Sequence, residues 1–265
     1  MAPETRADPG VEQGEVVAAA VASALTIPLM PAFGPWPVVL VSIPVLAAVG
    51  WVGVRRGVPE LVDVALVVAL MNVIALVPVV GVWPLAPLLA LVGVGVGLAR
   101  RGQLGRWREW LRLGHVDRLS VGLVVAVQVV SVAALLTWTT LFDGSLPVLY
   151  ADAARDAGPV AAGAGGIGFL VVNGLVEDSL FFGVLLSALT RALPGWAAVT
   201  LTAGAFGLAH LNGIPNGVVG VVMAASWALL LAALRLRTGG MLATYAAHIV
   251  ADTTIVLMLL PAIFR

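Results

Sequence analysis

The sequence predicts an all-α fold, a polytopic transmembrane helical bundle with about nine spans. Of its 265 residues, 61% are hydrophobic and only 11% are charged, whereas soluble domains carry about 25% charged residues. The apolar segments are continuous and do not alternate with polar residues, which disfavours a β-barrel. The chain has no cysteine and no formal net charge. We therefore expect neither a disulfide scaffold nor a nucleic-acid partner.

Each predicted span is an apolar run of about 20 residues bounded by charge, glycine or proline. The chain divides almost completely into such runs, at residues 16–34, 37–54, 60–78, 82–99, 119–142, 159–182, 195–212, 216–234 and 240–262. This division predicts a polar N-terminal tail over 1–15 and N-terminal transmembrane helices over 16–142, which include a basic loop at 100–118. A C-terminal helical core follows over 159–262.

The placement of arginine predicts the orientation of the bundle. Arginines follow the second, fourth, sixth and eighth spans, so all four loops lie in the cytoplasm if the N-terminus is cytoplasmic. We expect an integral protein of a bacterial-type plasma membrane. The basic loop 100–118 carries Trp107 and Trp110 among its arginines, a pattern that predicts an amphipathic helix on the membrane surface with the tryptophans at the headgroups of the membrane lipid.

Polar residues at bilayer depth are costly and indicate function by default. Asp63, near the start of the third span, is expected to snorkel to the interface or cap a helix, and Asn72 to form an interhelical hydrogen bond. The other ionisable residues lie in the sixth, seventh and ninth spans; they are Glu177, Asp178, His210, His248 and Asp252. These residues are the candidates for chemistry.

Helical spacing predicts how these side chains face one another. Adjacent residues on a helix point about 100° apart, so one of Glu177 and Asp178 should face a cavity and the other a neighbouring helix. His248 and Asp252 are four residues apart, which lets the carboxylate accept an imidazole N–H and fix the tautomer. The same spacing packs Phe206 beneath His210.

A carboxylate and two imidazoles that converge in a cavity of low dielectric constant are compatible with three kinds of chemistry. They activate a water for attack on an amide, they bind a metal such as zinc, or they relay protons in a transporter. Composition and spacing do not choose among these.

Three motifs in order resemble a known family. Glu177-Asp178-Ser179-Leu180-Phe181-Phe182, the segment from Phe206 to His210 and the segment from His248 to Asp252 are similar to the family patterns E-E-x-x-x-R, F-x-x-x-H and H-x-x-x-N/D. These patterns mark the CPBP family, the CAAX protease and bacteriocin-processing (Abi) intramembrane proteases, which include the type II CAAX prenyl endopeptidases. The resemblance covers about residues 165–260.

The resemblance implies a role for each matching residue. Glu177 corresponds to the glutamate that activates water and His210 to the histidine that helps hold it, while His248 and Asp252 correspond to the pair proposed to stabilise the oxyanion. For Asp252, orienting His248 is the alternative role. Asp178, Phe206 and Asn173 are supporting residues. The favoured mechanism requires no cofactor, but the family has also been described as metal-dependent, in which case a zinc ion would be held by Glu177, His210 and His248.

Two departures from the family pattern matter. Asp178 replaces the second glutamate, and Phe182 replaces the arginine that would pair with it one turn later. Without that arginine Asp178 needs another partner or a proton, and Arg191 is a candidate substitute if the helix breaks near Gly183 and the chain folds back. The change is consistent either with a coordinated replacement or with loss of activity.

The favoured function is an intramembrane endopeptidase that hydrolyses a peptide bond of a hydrophobic, lipidated or membrane-near substrate with a glutamate-activated water. One alternative is a catalytically degenerate family member that acts as a bacteriocin-immunity or membrane scaffold protein, as the missing arginine would suggest. A transporter or channel that uses the same ionisable groups is the other.

Overall fold

A computed structural model describes residues 9–29, 35–142 and 148–264, and these parts of the chain are helical without strands. The helices are α1 (Pro9–Thr26), α2 (Pro35–Arg56), α3 (Pro59–Ile74), α4 (Leu85–Arg100), α5 (Gly105–Leu111), α6 (Arg118–Leu141), α7 (Val148–Glu177), a π-helix (Asp178–Leu185), α8 (Leu186–Ala192), α9 (Gly195–Ala209), a short 3₁₀ turn (His210–Asn212), α10 (Gly217–Thr238) and α11 (Leu242–Ile263). The all-α prediction is confirmed.

Every predicted span contains a helix, but the count of nine spans is not confirmed. Within the described residues, five helical stretches are long and apolar enough to cross a membrane: 36–56, 118–141, 151–192, 217–238 and 242–260. The helices α3, α4 and α9 have only 15 or 16 residues. At 1.5 Å per residue they rise about 22–24 Å, less than the roughly 30 Å of a hydrocarbon core.

The N-terminal and C-terminal helices share one apolar core. Leu61 and Met71 of α3 belong to the same buried cluster as Phe206 of α9 and Leu231 of α10. Small residues let the helices approach closely, as at Gly207, where an added Cβ would lie 2.7 Å from the Cβ of Ala225. The first spans are therefore part of the structure that surrounds the C-terminal helices.

The first helix begins at Pro9, within the segment 1–15 that the sequence predicts as a polar tail; residues 1–8 lie outside the described residues. Its carboxylates Glu12 and Glu15 form ion pairs with Arg56 at the end of α2. Between α2 and α3, Asn72 donates a hydrogen bond to the Ser42 hydroxyl at 2.8 Å, the interhelical bond that the sequence predicts.

The basic loop differs from its prediction. Trp107 and Trp110 of α5 are only 6% and 3% exposed, so they pack into the protein core and do not lie among the headgroups. Trp107 donates its indole N–H to Asp63, which also accepts two hydrogen bonds from Arg106. Asp63 is therefore a buried ion-pair partner and not a snorkelling or capping residue. The spacing of the two tryptophans predicts an apolar helix face, but it does not distinguish a face that contacts lipid from one that contacts protein.

A backbone contact between two connections fixes the start of α11. The N–H groups of Met241 and Leu242 donate to the carbonyl oxygens of Arg112 and Leu113, respectively. In the other direction, the N–H of His115 donates to the carbonyl oxygen of Thr238. A Cβ on Gly240 would lie 2.1 Å from the Gly114 nitrogen. Only glycine fits this crossing, which ties the α10–α11 turn to the α5–α6 connection.

Candidate active site

A cavity of about 610 Å³ lies among the C-terminal helices, within the usual size range of small-molecule pockets. Most of its lining is apolar, with valine, leucine, isoleucine and phenylalanine side chains from several helices. The four predicted catalytic residues, Glu177, His210, His248 and Asp252, all line it, and so does the predicted supporting residue Asn173. The structure thus brings together residues from three separate motifs.

A change of helix type occurs at the acidic pair. Helix α7 ends at Glu177, and a π-helix runs from Asp178 to Leu185; such wide helical turns are rare and often occur at functional sites. Glu177 lines the cavity, whereas Asp178 points to the neighbouring helix α11. The two adjacent carboxylates therefore reach the same histidine, His248, from different directions.

His248 is held at both ring nitrogens. Its Nδ1 lies 2.8 Å from Asp178 Oδ1, and its Nε2 lies 3.2 Å from Glu177 Oε2. Because ionised carboxylates only accept hydrogen bonds, both contacts are hydrogen bonds when the ring carries two N–H groups. Asp252 Oδ1 is 3.8 Å from Nε2, beyond hydrogen-bond distance. Asp178 therefore orients the imidazole. Helical spacing predicts this role for Asp252.

His210 has one ring nitrogen committed to the backbone. It follows the last residue of α9, and its Nδ1 lies 2.9 Å from the carbonyl oxygen of Phe206 one turn earlier. A carbonyl only accepts, so Nδ1 carries a proton, and in the neutral ring Nε2 keeps its lone pair. The Phe206 ring packs against the imidazole with centroids 4.6 Å apart, as the spacing predicts.

Comparison with protein-family models agrees with the motifs. Residues 160–254, just over a third of the chain, match the family described as Rce1-like, type II CAAX prenyl endopeptidase Rce1-like. This region is an Rce1-like domain. The match confirms the resemblance to the CAAX proteases and supports intramembrane protease function in general. Among the curated proteins and the solved structures, no significant match to the chain is found.

Within the Rce1-like domain, Phe182 occupies the place of the family arginine and is packed as a core residue. It is fully buried and stacks on Phe206, with ring centroids 5.8 Å apart. Arg191 does not replace the missing partner of Asp178, because its guanidinium pairs with Glu60 at 2.9 Å. The partner of Asp178 is His248. The expectation for Arg191 is therefore wrong, since α8 carries it to the end of the bundle that holds Glu60.

One contributor to the site lies outside the Rce1-like domain and was missed from the sequence. Trp83, in the connection between α3 and α4, donates its indole N–H to Asn173 Oδ1 at 2.7 Å. Asn173 in turn donates to Asp252 Oδ2 at 3.1 Å. The only sequence signal is that buried indole N–H groups usually find an acceptor. The N-terminal half thus positions Asp252 through Asn173.

A zinc ion held by Glu177, His210 and His248 remains a prediction from the family resemblance. Both ring nitrogens of His248 contact carboxylates, and metal-bound histidines commonly donate their second N–H to a carboxylate. Over the described ranges, no group of three or more histidine, cysteine or acidic residues has an arrangement that could hold a metal ion.

Proposed function

We propose that the protein is an intramembrane endopeptidase that hydrolyses a peptide bond of a hydrophobic, lipidated or membrane-near substrate, with Glu177 activating the attacking water. One observation carries the proposal: the Glu177 carboxylate, fixed by His248 at 3.2 Å, lies in the wall of an apolar cavity that His210 also lines. Carboxylate and imidazole groups on three helices supply general base chemistry in a site shielded from bulk water.

In the proposed reaction, water lies between Glu177 and Nε2 of His210. Glu177 takes a proton from this water while the water oxygen attacks the substrate carbonyl carbon. A tetrahedral oxyanion forms. The C–N bond then breaks, and the proton held by Glu177 passes to the leaving amine. A doubly protonated His248 would stabilise the negative charge electrostatically. Because water attacks directly, no acyl-enzyme forms.

The cavity lining favours an apolar substrate segment. Valine, leucine and isoleucine side chains surround the few polar groups, so aliphatic or isoprenoid chains would be buried without leaving polar atoms unpaired. We further propose, from the arginine-rich loops, that the N-terminus is cytoplasmic in a bacterial-type plasma membrane. Membrane lipid would then surround the bundle and deliver the substrate laterally.

A chelator should leave the reaction rate unchanged, because in the proposed mechanism Glu177 activates the water without a metal ion. The measurement is peptidase activity of the purified protein in detergent before and after dialysis against 1,10-phenanthroline. A zinc peptidase treated in parallel should lose its activity. Inhibition that is reversed by added zinc would contradict this mechanism.

Replacement of Trp83 by Phe should lower kcat about threefold to tenfold and leave KM nearly unchanged. The variant removes one hydrogen bond to Asn173, and such a bond contributes about 0.5–1.5 kcal/mol. Because Trp83 acts through Asn173 on Asp252, the loss should appear in the chemical step. The matched control is Trp196→Phe, since Trp196 is 75% exposed. Equal kinetics of the two variants would remove Trp83 from the set of positioning residues.

The decisive experiment compares membranes from cells that make the wild-type protein or Glu177→Gln at equal abundance. Quantitative mass spectrometry of peptide termini should find new termini only with the wild type, and these would identify the substrate. If termini are identical although both proteins are folded, and a separate phenotype persists, the endopeptidase proposal fails in favour of a non-catalytic role.

A further inference from the structure

A second cavity, of about 280 Å³, lies at the arginine-rich end of the bundle. Four arginines, Arg106, Arg112, Arg191 and Arg235, line it together with three carboxylates. Phe182 lines this cavity too, and its stacking on Phe206 separates the second cavity from the catalytic one. The two cavities are therefore distinct sites on either side of an aromatic wall.

The three carboxylates of the second cavity already have partners. Asp63 accepts from Arg106 at 2.6 Å and from Trp107 at 3.1 Å, and the hydrogen bond with Asp63 raises the pKa of Arg106 above its ordinary value. Glu60 accepts from Arg191 at 2.9 Å. The third carboxylate, Glu109, is 64% exposed and lies 3.8 Å from Arg191. None of these three carboxylates forms an ion pair with Arg112 or Arg235.

Among the arginines that line this cavity, Arg235 has neither a counterion nor a hydrogen-bond acceptor within the described residues. It is 8% exposed, and its guanidinium makes no hydrogen bond or ion pair within the described part of the chain; its Nε is buried without any partner. The charged neighbour that acts on Arg235 is a second cation, Arg112. The Nε of Arg112 donates to the backbone carbonyl of Glu109. An uncompensated buried cation is costly, and the usual remedy is a bound anion.

We propose that this cavity binds a phosphate group. The guanidinium fork matches phosphate oxygens through paired hydrogen bonds, the two cations Arg235 and Arg112 lack carboxylate partners, and the Ser187 hydroxyl lines the same space. Arg235 lies in the last turn of the membrane-crossing helix α10. That position is the depth of lipid headgroups, where phosphate is abundant. A phospholipid headgroup and a free phosphate ion offer the same chemistry.

The test compares the wild type with Arg235→Gln and with the matched control Arg237→Gln. Arg237 lies two residues further along α10, outside the cavity lining, and pairs with Asp117. Each protein is delipidated in detergent and then titrated separately with phosphatidylglycerol, with phosphatidylcholine and with inorganic phosphate. Native mass spectrometry counts retained lipids, and the melting temperature reports stabilisation.

We expect the wild type and Arg237→Gln to retain one phospholipid, and Arg235→Gln to bind it at least tenfold more weakly. Stabilisation by phosphatidylglycerol and not by inorganic phosphate identifies a lipid headgroup as the source, and the reverse identifies a free phosphate ion. Arg235→Gln without ligand should melt at or above the wild-type temperature, because it loses an uncompensated charge. The proposal would be overturned if all three proteins bound equally, or if Arg235→Gln were less stable than the wild type without ligand. Partial binding by a further variant, Arg235→Lys, would support it.

Discussion

Glu177→Gln should lower the rate of peptide hydrolysis by about 10²–10⁴-fold, the contribution expected of a positioned general base. Glutamine has nearly the same shape as glutamate, so the side chain still fits the cavity wall and accepts from His248 through its amide oxygen. The amide does not take a proton from water. The loss should therefore appear in kcat, with substrate binding preserved.

The matched control is the same substitution at another carboxylate, Glu12→Gln. Glu12, in α1, is 47% exposed and pairs with Arg56 at the end of α2. Both residues are far along the chain from the three motifs. Glu12→Gln should retain wild-type kinetics. Cleavage of a fluorogenic lipopeptide in detergent, together with thermal unfolding of each variant, separates loss of chemistry from loss of fold. Wild-type kcat in Glu177→Gln would mean that another group activates the water.

Phe182→Arg, which restores the family arginine, should destabilise the protein by about 4 kcal/mol or more. Phe182 is fully buried and stacks on Phe206, and the arginine-lined cavity lies on its other side. The variant would therefore bury a guanidinium among aromatic rings and beside other cations. Unpaired buried charge is among the few mechanisms that produce losses of this size.

Phe182→Leu tests whether the loss comes from charge and not from volume. It keeps an apolar side chain and should cost about 1 kcal/mol. The measurement is the free energy of unfolding in detergent for both variants and the wild type. If Phe182→Arg folds with wild-type stability and higher activity, Asp178 has exchanged His248 for the new arginine. The phenylalanine would then be a sign of eroded activity and not a coordinated replacement.

The sequence predicts much of the site because motif spacing determines helix faces. Glu177, His210, His248 and Asp252 line one cavity, and the pairing of Phe206 with His210 follows from their separation by one turn. The roles of these residues in catalysis remain predictions. The π-helix that begins at Asp178 does not follow from residue spacing, and neither does the contact of both adjacent acids with His248.

Other features depend on tertiary contacts that periodicity does not encode. An apolar helix face that carries Trp107 and Trp110 looks the same whether lipid or protein covers it, and here protein covers it. Trp83 reaches Asn173 from a connection 90 residues earlier in the chain. The short helices α3 and α9 show why hydropathy alone did not settle the span count: apolar composition is required both for a helix inside a bundle and for one that crosses the bilayer.

The position of His248 between Glu177 and Asp178 sets an order of events during biosynthesis. The imidazole lies 70 residues after Asp178, which corresponds to roughly 4–14 s of synthesis at about 5–20 residues per second. For that interval the two acids have been synthesised, while the imidazole that contacts both of them has not. The site therefore assembles only when the last helix arrives. A nascent chain that carries all of its earlier helices lacks this histidine until then.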